Sequence, residues 1–327
     1  MKTLVTGATG FIGRHLVKAL IEKGDEVRCL VRRTSNVNGL DQPGVEFVYG
    51  DLLDKAAIAK AVQDIDAVYH LGGEVYSLIV KDFHRVNVEG TKNLLDACMS
   101  NAIQRFVFFS SIAASGPNRD KKKPLRESDS CNPITPYGVS KLESEKIVLD
   151  YFRKYKLPVV IVRPPTVYGP GQSDVLSKFF QRVNKGSFFI FGNGEYLRSL
   201  CYIKNLIDGA ILAGTKSEAI GEIFFISDKK IYNFKEIVCA IAEVQGHDVA
   251  LHTLPPFIAH FFLSLFNFLI KFININIMRF YTIGTMGVNL GCEISKAEKV
   301  LAYDPKISLK QGLSITNEFL LAQGKLS

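Results

Sequence analysis

Short apolar runs alternate, through the first half of the chain, with stretches in which apolar residues return every third or fourth position. The first pattern predicts strands and the second helices. Lys2–Thr6, Glu26–Val31, Val45–Tyr49, Ala67–Leu71, Phe106–Ser110 and Pro158–Val162 read as strands. Helices are predicted over Phe11–Lys23, over Phe83–Ser100, and over a segment that carries Tyr137 and Lys141 and runs to about Tyr155. Apolar strands separated by amphipathic helices predict an α/β fold, a doubly wound parallel sheet covered on both faces, with right-handed crossovers. After Pro164 the order loosens into short helices, glycine-rich turns and isolated strands. That change suits a smaller C-terminal substrate lobe over the carboxyl ends of the sheet. The expected division is a first domain over 1–165, with 198–227 returning to it through Ser199–Ile203 and Glu222–Ile226. The substrate lobe takes 166–197 and 228–327. No internal repeat is visible.

One stretch of the second lobe is more apolar than a surface helix needs. It follows Leu254-Pro255-Pro256 and covers 257–273. Its polar members, His260, Ser264, Asn267 and Lys271, fall on one narrow helical stripe. The run is shorter than the ~20 residues of a bilayer span. Three readings follow. The helix lies in a membrane interface with its apolar face down; it caps an apolar pocket or makes a dimer contact; or it is buried in its lobe.

Composition narrows the classes. At 327 residues and 47% hydrophobic, the chain is long enough for a large core and two lobes. The six cysteines are scattered with no C-x-x-C, which argues against a disulfide framework or a zinc site and predicts no metal. With the first strand starting at Lys2, no leader is expected ahead of the fold, which predicts a cytoplasmic protein, or one peripheral on the inner face of a membrane. The net charge of +8 admits nucleic acid, an anionic membrane surface or a phosphorylated ligand. The only basic run, Lys121-Lys122-Lys123, sits among Asp, Pro and Ser and reads as a solvated loop. No basic platform is interleaved with aromatic residues, so nucleic acid is not expected.

The candidate chemistry begins at Thr6-Gly7-Ala8-Thr9-Gly10-Phe11-Ile12-Gly13, which joins a strand to a helix. Glycines let the backbone turn tightly and approach a pyrophosphate, and the helix N-terminus offers N–H groups and a partial positive charge. The second strand ends Val31-Arg32-Arg33. An acid there would hold a ribose 2′-OH; two guanidiniums suit a 2′-phosphate instead. NADP(H) is therefore favoured over NAD(H). Asp51 is placed to meet the adenine edge or merely to cap the next helix. Further on, Tyr137 and Lys141 stand four apart on one helix face. A free tyrosine titrates near ~10, and a neighbouring ammonium lowers that value. The pair is a candidate acid/base for a carbonyl or hydroxyl.

Together with Gly50-Asp51-Leu52, Val68-Tyr69-His70-Leu71, Asn87-Val88-Glu89-Gly90-Thr91, Ser110-Ser111 and Arg163-Pro164-Pro165-Thr166-Val167-Tyr168-Gly169, these motifs resemble the extended short-chain dehydrogenases/reductases. That family includes epimerases, dehydratases and hydroxysteroid dehydrogenases, and the likeness covers nearly the whole chain. It implies a Rossmann domain and a catalytic triad of Ser111, Tyr137 and Lys141. It implies cofactor contacts at Gly7, Thr9, Gly10, Phe11, Ile12, Gly13, Arg32, Asp51, Leu52, Leu71, Tyr137, Lys141, Pro164 and Val167. Asn87, Thr166 and Arg198 become substrate-side candidates, and a homodimer through the helices after Phe83 and Tyr137 is implied. Gly72-Gly73 stands where small alanines are usual, and Lys204-Asn205 where paired acids are common.

The 110–118 segment resembles the 3-beta-hydroxysteroid dehydrogenase and dihydroflavonol-reductase-like branch. That likeness favours a reductase or dehydrogenase acting on an apolar, sterol- or lipid-like small molecule, and the branch links apolar segments to membrane association. Arg198 matches a position that binds substrate phosphate in nucleotide-sugar epimerases and dehydratases, which keeps that reading, with tightly bound NAD, as the alternative. A cofactor-sensing protein without turnover fits less well, because Ser111, Tyr137 and Lys141 are all present.

Overall fold

Successive side chains of a strand point to opposite sides of a sheet, and the middle of the sheet here is dry on both. The computed structural model describes residues 1–118, 120, 123–172, 174–273, 276 and 285–326. The chain opens with β1 (Lys2–Thr6), α1 (Phe11–Glu22), β2 (Glu26–Val31), β3 (Val45–Tyr49), α2 (Lys55–Ala61) and β4 (Ala67–His70). A helical segment follows as α3 (Val80–Phe83), a π-helical turn (His84–Glu89) and α4 (Gly90–Cys98). Then come β5 (Arg105–Phe109), α5 (Ile112–Ser115), α6 (Pro136–Tyr155) and β6 (Val159–Arg163). The helix expected over Phe83–Ser100 thus contains a π turn, which apolar spacing does not reveal.

The second half holds β7 (Thr166–Tyr168), α7 (Asp174–Asn184), β8 (Ser187–Phe191), β9 (Leu197–Arg198), β10 (Leu200–Tyr202), α8 (Ile203–Thr215) and β11 (Ile223–Phe225). It continues with β12 (Tyr232–Asn233), α9 (Phe234–Val244), β13 (Ala250–Leu254), α10 (Pro256–Phe268), α11 (Ser295–Leu301) and α12 (Leu309–Ala322). Seven strands form one parallel sheet in the order β11-β6-β5-β4-β1-β2-β3. Strand order reverses beside β1, so the crevice above β1 and β4 is where a doubly wound sheet binds ligands. Alternation sorts the core: Val5, Val107, Val160 and Val162 share one cluster with Leu16, Val17 and Leu20 of α1 and Leu206 and Ala210 of α8. Leu4, Phe106, Phe108, Val159 and Ile161 face the other way, onto Ile58 of α2, Leu94 and Leu95 of α4 and Val148 of α6.

Among the described residues of the second half are three two-stranded sheets: β7 with β10, β9 with β12 and β8 with β13. Of the residues expected to return to the first domain, β11 joins the main sheet beside β6, while β10 pairs with β7. In the basic run Lys123 is exposed; Lys121 and Lys122 lie outside the described residues.

The apolar stretch forms α10 and a π turn, Leu269–Ile273. Ala259 and Phe266 are buried, while Phe257, Phe261, Phe268 and Phe272 are each more than half exposed. His260, Ser264 and Asn267 are exposed as well, and the side chain of Lys271 lies outside the description. The reading that this helix is enclosed by its own lobe is therefore corrected: only one face packs inward. Among the described residues no helix is long and apolar enough to cross a membrane.

Asp228, just past β11, pins the β7–β10 sheet to the large one. Its Oδ1 accepts from Tyr202 N at 2.9 Å and Asn205 Nδ2 at 2.7 Å, and its Oδ2 accepts from the Tyr168 hydroxyl at 3.1 Å. Burial outweighs these donors and pushes the carboxyl pKa up to about 6. The folded chain thus holds this proton more tightly than the unfolded one. Its contribution is complete below the carboxylate's ordinary value of 3.8 and is lost as pH rises through about 6. Asp228→Asn keeps the shape and should flatten that fall, by about 2 kcal/mol between pH 4 and pH 7. Denaturant midpoints of the two proteins at both pH values check it; equal slopes would show that Asp228 does not titrate in this window.

Candidate active site

The crevice begins where β1 ends. Gly7 has φ of +72°, a left-handed conformation that side chains resist. The Gly10 N–H donates to the Gly7 carbonyl at 3.0 Å. A Cβ on Gly13 would sit 2.2 Å from that same carbonyl, so α1 lies directly against the turn. Gly10 caps α1 with no side-chain hydrogen bond, which leaves the first-turn N–H groups, from Phe11 and Ile12 onward, for a ligand. This arrangement fits a dinucleotide pyrophosphate. Thr9, half-buried, gives its carbonyl to Arg14 Nε at 3.2 Å. The same guanidinium donates to Asn36 O and Asn38 O and so folds the loop after β2 back onto α1.

At the end of β2 both Arg32 and Arg33 are exposed, and Arg33 lies 5.8 Å from the centre of the Tyr49 ring. Asp51 is exposed and bonds the N–H groups of Leu53 and Asp54. The helix cap at α2 is Asp54, which accepts from Ala56 N and Ala57 N. Leu52 is buried, and Leu71 is half-buried next to Gly72.

A series of close approaches links this turn to the candidate acid/base. A Cβ on Gly7 would lie 2.7 Å from Gly72 N, one on Gly72 would lie 2.9 Å from Thr6 Oγ1, and one on Gly73 would lie 2.8 Å from Asn87 Oδ1 and 3.7 Å from Lys141 Nζ. Alanine at 72 or 73 would press on those atoms, which accounts for the glycine pair. Below it His70 is wholly buried, its ring nitrogens bonded to Thr6 Oγ1 at 2.7 Å and Thr91 Oγ1 at 2.8 Å. Burial, then the charge of Lys141, brings its pKa down to about 3, so the ring is neutral.

Helix α6 starts at a Thr135 cap, whose hydroxyl accepts from Gly138 N at 2.9 Å, with Pro136 in the first turn. Gly138 permits the approach of α5, since a Cβ there would lie 2.3 Å from Ala113 O. Tyr137, half-buried, sits next to that contact with its ring edge-on to Phe83 at 6.4 Å. One turn on, Lys141 is only 4% exposed. Its Nζ donates to Phe109 O at 2.7 Å and lies 4.7 Å from the centre of the Phe108 ring. Burial brings its pKa down to about 8, and Glu145 raises it against that trend. Ser110 is buried and donates to Glu145, whereas Ser111 is half-exposed and caps α5 by accepting from Ala113 N at 3.1 Å.

Asn87 lies in the π turn, fully buried. It accepts from Glu74 N at 2.6 Å and donates to Glu74 O at 3.0 Å and Ser140 Oγ at 2.9 Å. The side chain thus clamps the loop after β4 onto α6. Farther along that loop, Tyr76, Leu78 and Ile79 are exposed. Asn276 bonds Leu78 O and Ser77 O, so second-half sequence reaches over the same crevice. Pro164 is buried and accepts from Ile112 N at 2.9 Å; Val167 is buried and Thr166 exposed. Arg198 donates to the backbone carbonyls of Leu197, Val288 and Thr285. Sequence reasoning gave no role to Glu145, Gly138 or Asn276, and quoted His70 only within a motif. Glu145 carried a signal, four residues beyond Lys141 on the same helix face.

Residues 3–227 match the model of the NAD dependent epimerase/dehydratase family. The chain is 31% identical to an uncharacterized UDP-glucose epimerase of Bacillus subtilis, over 97% of this chain and 96% of that protein. It is 27% identical to a 3-beta-hydroxysteroid dehydrogenase of Mycolicibacterium neoaurum, over 96% and 89%. Among solved structures, UDP-glucuronic acid 4-epimerase from Bacillus cereus, in complex with UDP-glucuronic acid and NAD, superposes with a TM-score of 0.78 at 27% identity, covering 99% of this chain and 100% of that one.

Proposed function

The chain belongs to the NAD-dependent epimerase/dehydratase family and is an enzyme of the extended short-chain dehydrogenase/reductase class, and we propose that it moves a hydride between a nicotinamide and the carbonyl or hydroxyl carbon of an apolar small molecule. The observation that carries this reading is Tyr137 one helical turn from the buried Lys141, next to a glycine turn shaped for a pyrophosphate. The bound dinucleotide supplies or accepts the hydride; the protein supplies position and proton transfer. Tyr137 gives its phenolic proton to the substrate oxygen in reduction and takes it back in oxidation. Lys141, an ammonium at neutral pH, favours the phenolate. It has protons beyond the one bonded to Phe109 O, and these serve the nicotinamide ribose. Ser111 already accepts from Ala113 N, which leaves its O–H to donate to the reacting oxygen.

An apolar substrate is supported by Arg198, whose guanidinium is engaged with backbone carbonyls. A nucleotide-sugar substrate, with NAD held through the cycle, is the second reading, and the likeness to the Bacillus cereus epimerase favours it. Denaturing the purified protein and identifying the released nucleotide by mass spectrometry separates them. Near one NAD⁺ per chain supports the epimerase; a site that takes up and releases NADPH supports the reductase. In either case Tyr137→Phe should lower kcat by roughly 10²–10⁴ with cofactor binding kept. Substantial residual activity would remove Tyr137 from the mechanism.

The exposed Arg32-Arg33 pair supports NADP(H). A charge-assisted bond to the 2′-phosphate is worth about 1.5–3 kcal/mol, so Arg32→Asp should weaken NADPH roughly ten- to a hundredfold and leave NADH nearly unchanged. Equal effects on the two cofactors, measured by fluorescence titration, would defeat this assignment.

The exposed phenylalanines of α10 support a peripheral seat on an anionic membrane. No Asp or Glu occurs between Asp248 and Glu293, so nothing acidic there repels lipid phosphates. The protein should cosediment with anionic vesicles, and Phe261→Ser with Phe268→Ser should reduce binding at least about tenfold, given ~0.8 kcal/mol per buried CH₂. A wild type that ignores such vesicles ends the membrane reading.

A further inference from the structure

Glu145 lies one turn beyond Lys141 on α6, and Arg163 ends β6. Their side chains are 2% and 3% exposed. Arg163 forks onto the carboxylate, Nε to Oε1 at 2.8 Å and Nη2 to Oε2 at 2.6 Å. Ser110 adds a third donor. The rest of the guanidinium meets Ser115 Oγ at 3.2 Å, Cys131 Sγ at 3.4 Å and, at 5.8 Å, the centre of the Phe225 ring. A buried ion pair contributes little net stability, since apolar residues of equal volume often do as well. Stability alone therefore gives little reason for this one. Its surroundings give another: Ser110 adjoins Ser111, Arg163 adjoins Pro164, and Glu145 is one turn from Lys141.

We propose that Glu145 and Arg163 are a positioning pair for proton transfer: Glu145, one turn from Lys141 and bonded by Ser110 beside the Phe109 carbonyl that takes the Lys141 proton, keeps that ammonium charged, and Arg163 limits the strength of that pull. This rests on the reading of Tyr137 and Lys141 as the proton-transfer pair. Among the described residues the groups facing Lys141 are few. From its own helix come Glu145 and Tyr137; from β4, the neutral His70; from β5, the Phe109 carbonyl and the Phe108 ring; from β6, Arg163 behind the carboxylate. Gly73 and Asn87 close the remaining side without charge. Glu145 is the carboxylate that opposes the effect of burial on this ammonium. The Arg163 fork draws off part of its field, and an ammonium held too firmly would be a poor partner for a tyrosine that must change its charge.

The two halves of the pair predict opposite effects, which general loosening of the fold cannot produce. In full-length protein with ¹³Cε-labelled lysine, the Lys141 resonance is assigned by its loss in Lys141→Met and titrated with pH. Glu145→Gln should lower the Lys141 midpoint by about one pH unit and Arg163→Met should raise it by a similar amount. Both follow from charge interactions in a poorly solvated site. The double variant should return close to wild type. The alkaline limb of kcat should follow each shift, about tenfold in rate on that limb. Unchanged midpoints, or two shifts in the same direction, would overturn the proposal and leave the pair structural. If Arg163→Met does not fold, Glu145→Gln alone decides: an unmoved midpoint refutes the coupling. A resonance that moves as stated while the kcat limb stays fixed would instead remove Lys141 from the mechanism and leave its tie to Glu145 standing.

Discussion

An ammonium taken out of water in a protein interior costs several kcal/mol unless other groups replace its hydration, and the architecture around Lys141 meets that demand. Three elements converge on it. Strand β5 ends with the Phe109 carbonyl accepting its proton and the Phe108 ring beneath it. Helix α6 brings Glu145 one turn away, and the loop after β4 closes over it with Gly73. Each needs a local concession: glycine at 138 where α5 touches α6, glycine at 72 and 73 where the loop passes Thr6 and Asn87, and a clamp from Asn87 to hold that loop. The same loop carries Gly72 against Gly7, so the charged centre and the dinucleotide turn share one wall.

The legible part of this protein is local. Periodicity along the chain located β1 through β6, α1 and the end of α6 to within a residue or so, because the central strands are dry on both sides and α1 carries one apolar stripe. The glycine turn was legible because its chemistry is fixed over eight consecutive residues. What stayed hidden depends on residues far apart in sequence. Asn87 reads as a site residue, and its amide proves to be spent on the Glu74 backbone and Ser140. Asp51 reads as a cap or an adenine contact, yet Asp54 caps α2 while Asp51 shapes the turn before it. Arg198 matches a phosphate-binding position, but here it gathers carbonyls from residues nearly ninety positions away. The fork between Arg163 and Glu145 joins a strand to a helix, and no pattern along either one announces it.

The second half of the chain owes less to repetition. Its three small sheets are each two strands, too few to stand alone in water, and they hold because they are fastened to the large sheet. Asp228, Asn205 and Tyr168 do part of that fastening with buried hydrogen bonds. Asn276 separately ties its own segment to the loop at Ser77 and Leu78. The order of these segments is therefore imposed in part by the large sheet. That leaves the exposed face of α10 and the loop at Tyr76–Ile79 able to diverge in sequence with little consequence for the sheet.

Strand β11 completes the large sheet, yet it follows β6 by some sixty residues. During synthesis β6 emerges with Val159-Val160-Ile161-Val162 facing an unfilled edge. At about 5–20 residues per second the ribosome needs several seconds to deliver the missing neighbour. A strand with one open edge and four consecutive apolar residues is a template for pairing with other chains. The nascent protein thus passes through an interval in which its most buried segment is also its most adhesive. Escape from aggregation in the cell then depends on how fast β11 arrives and docks, and on any chaperone that shields β6 until it does.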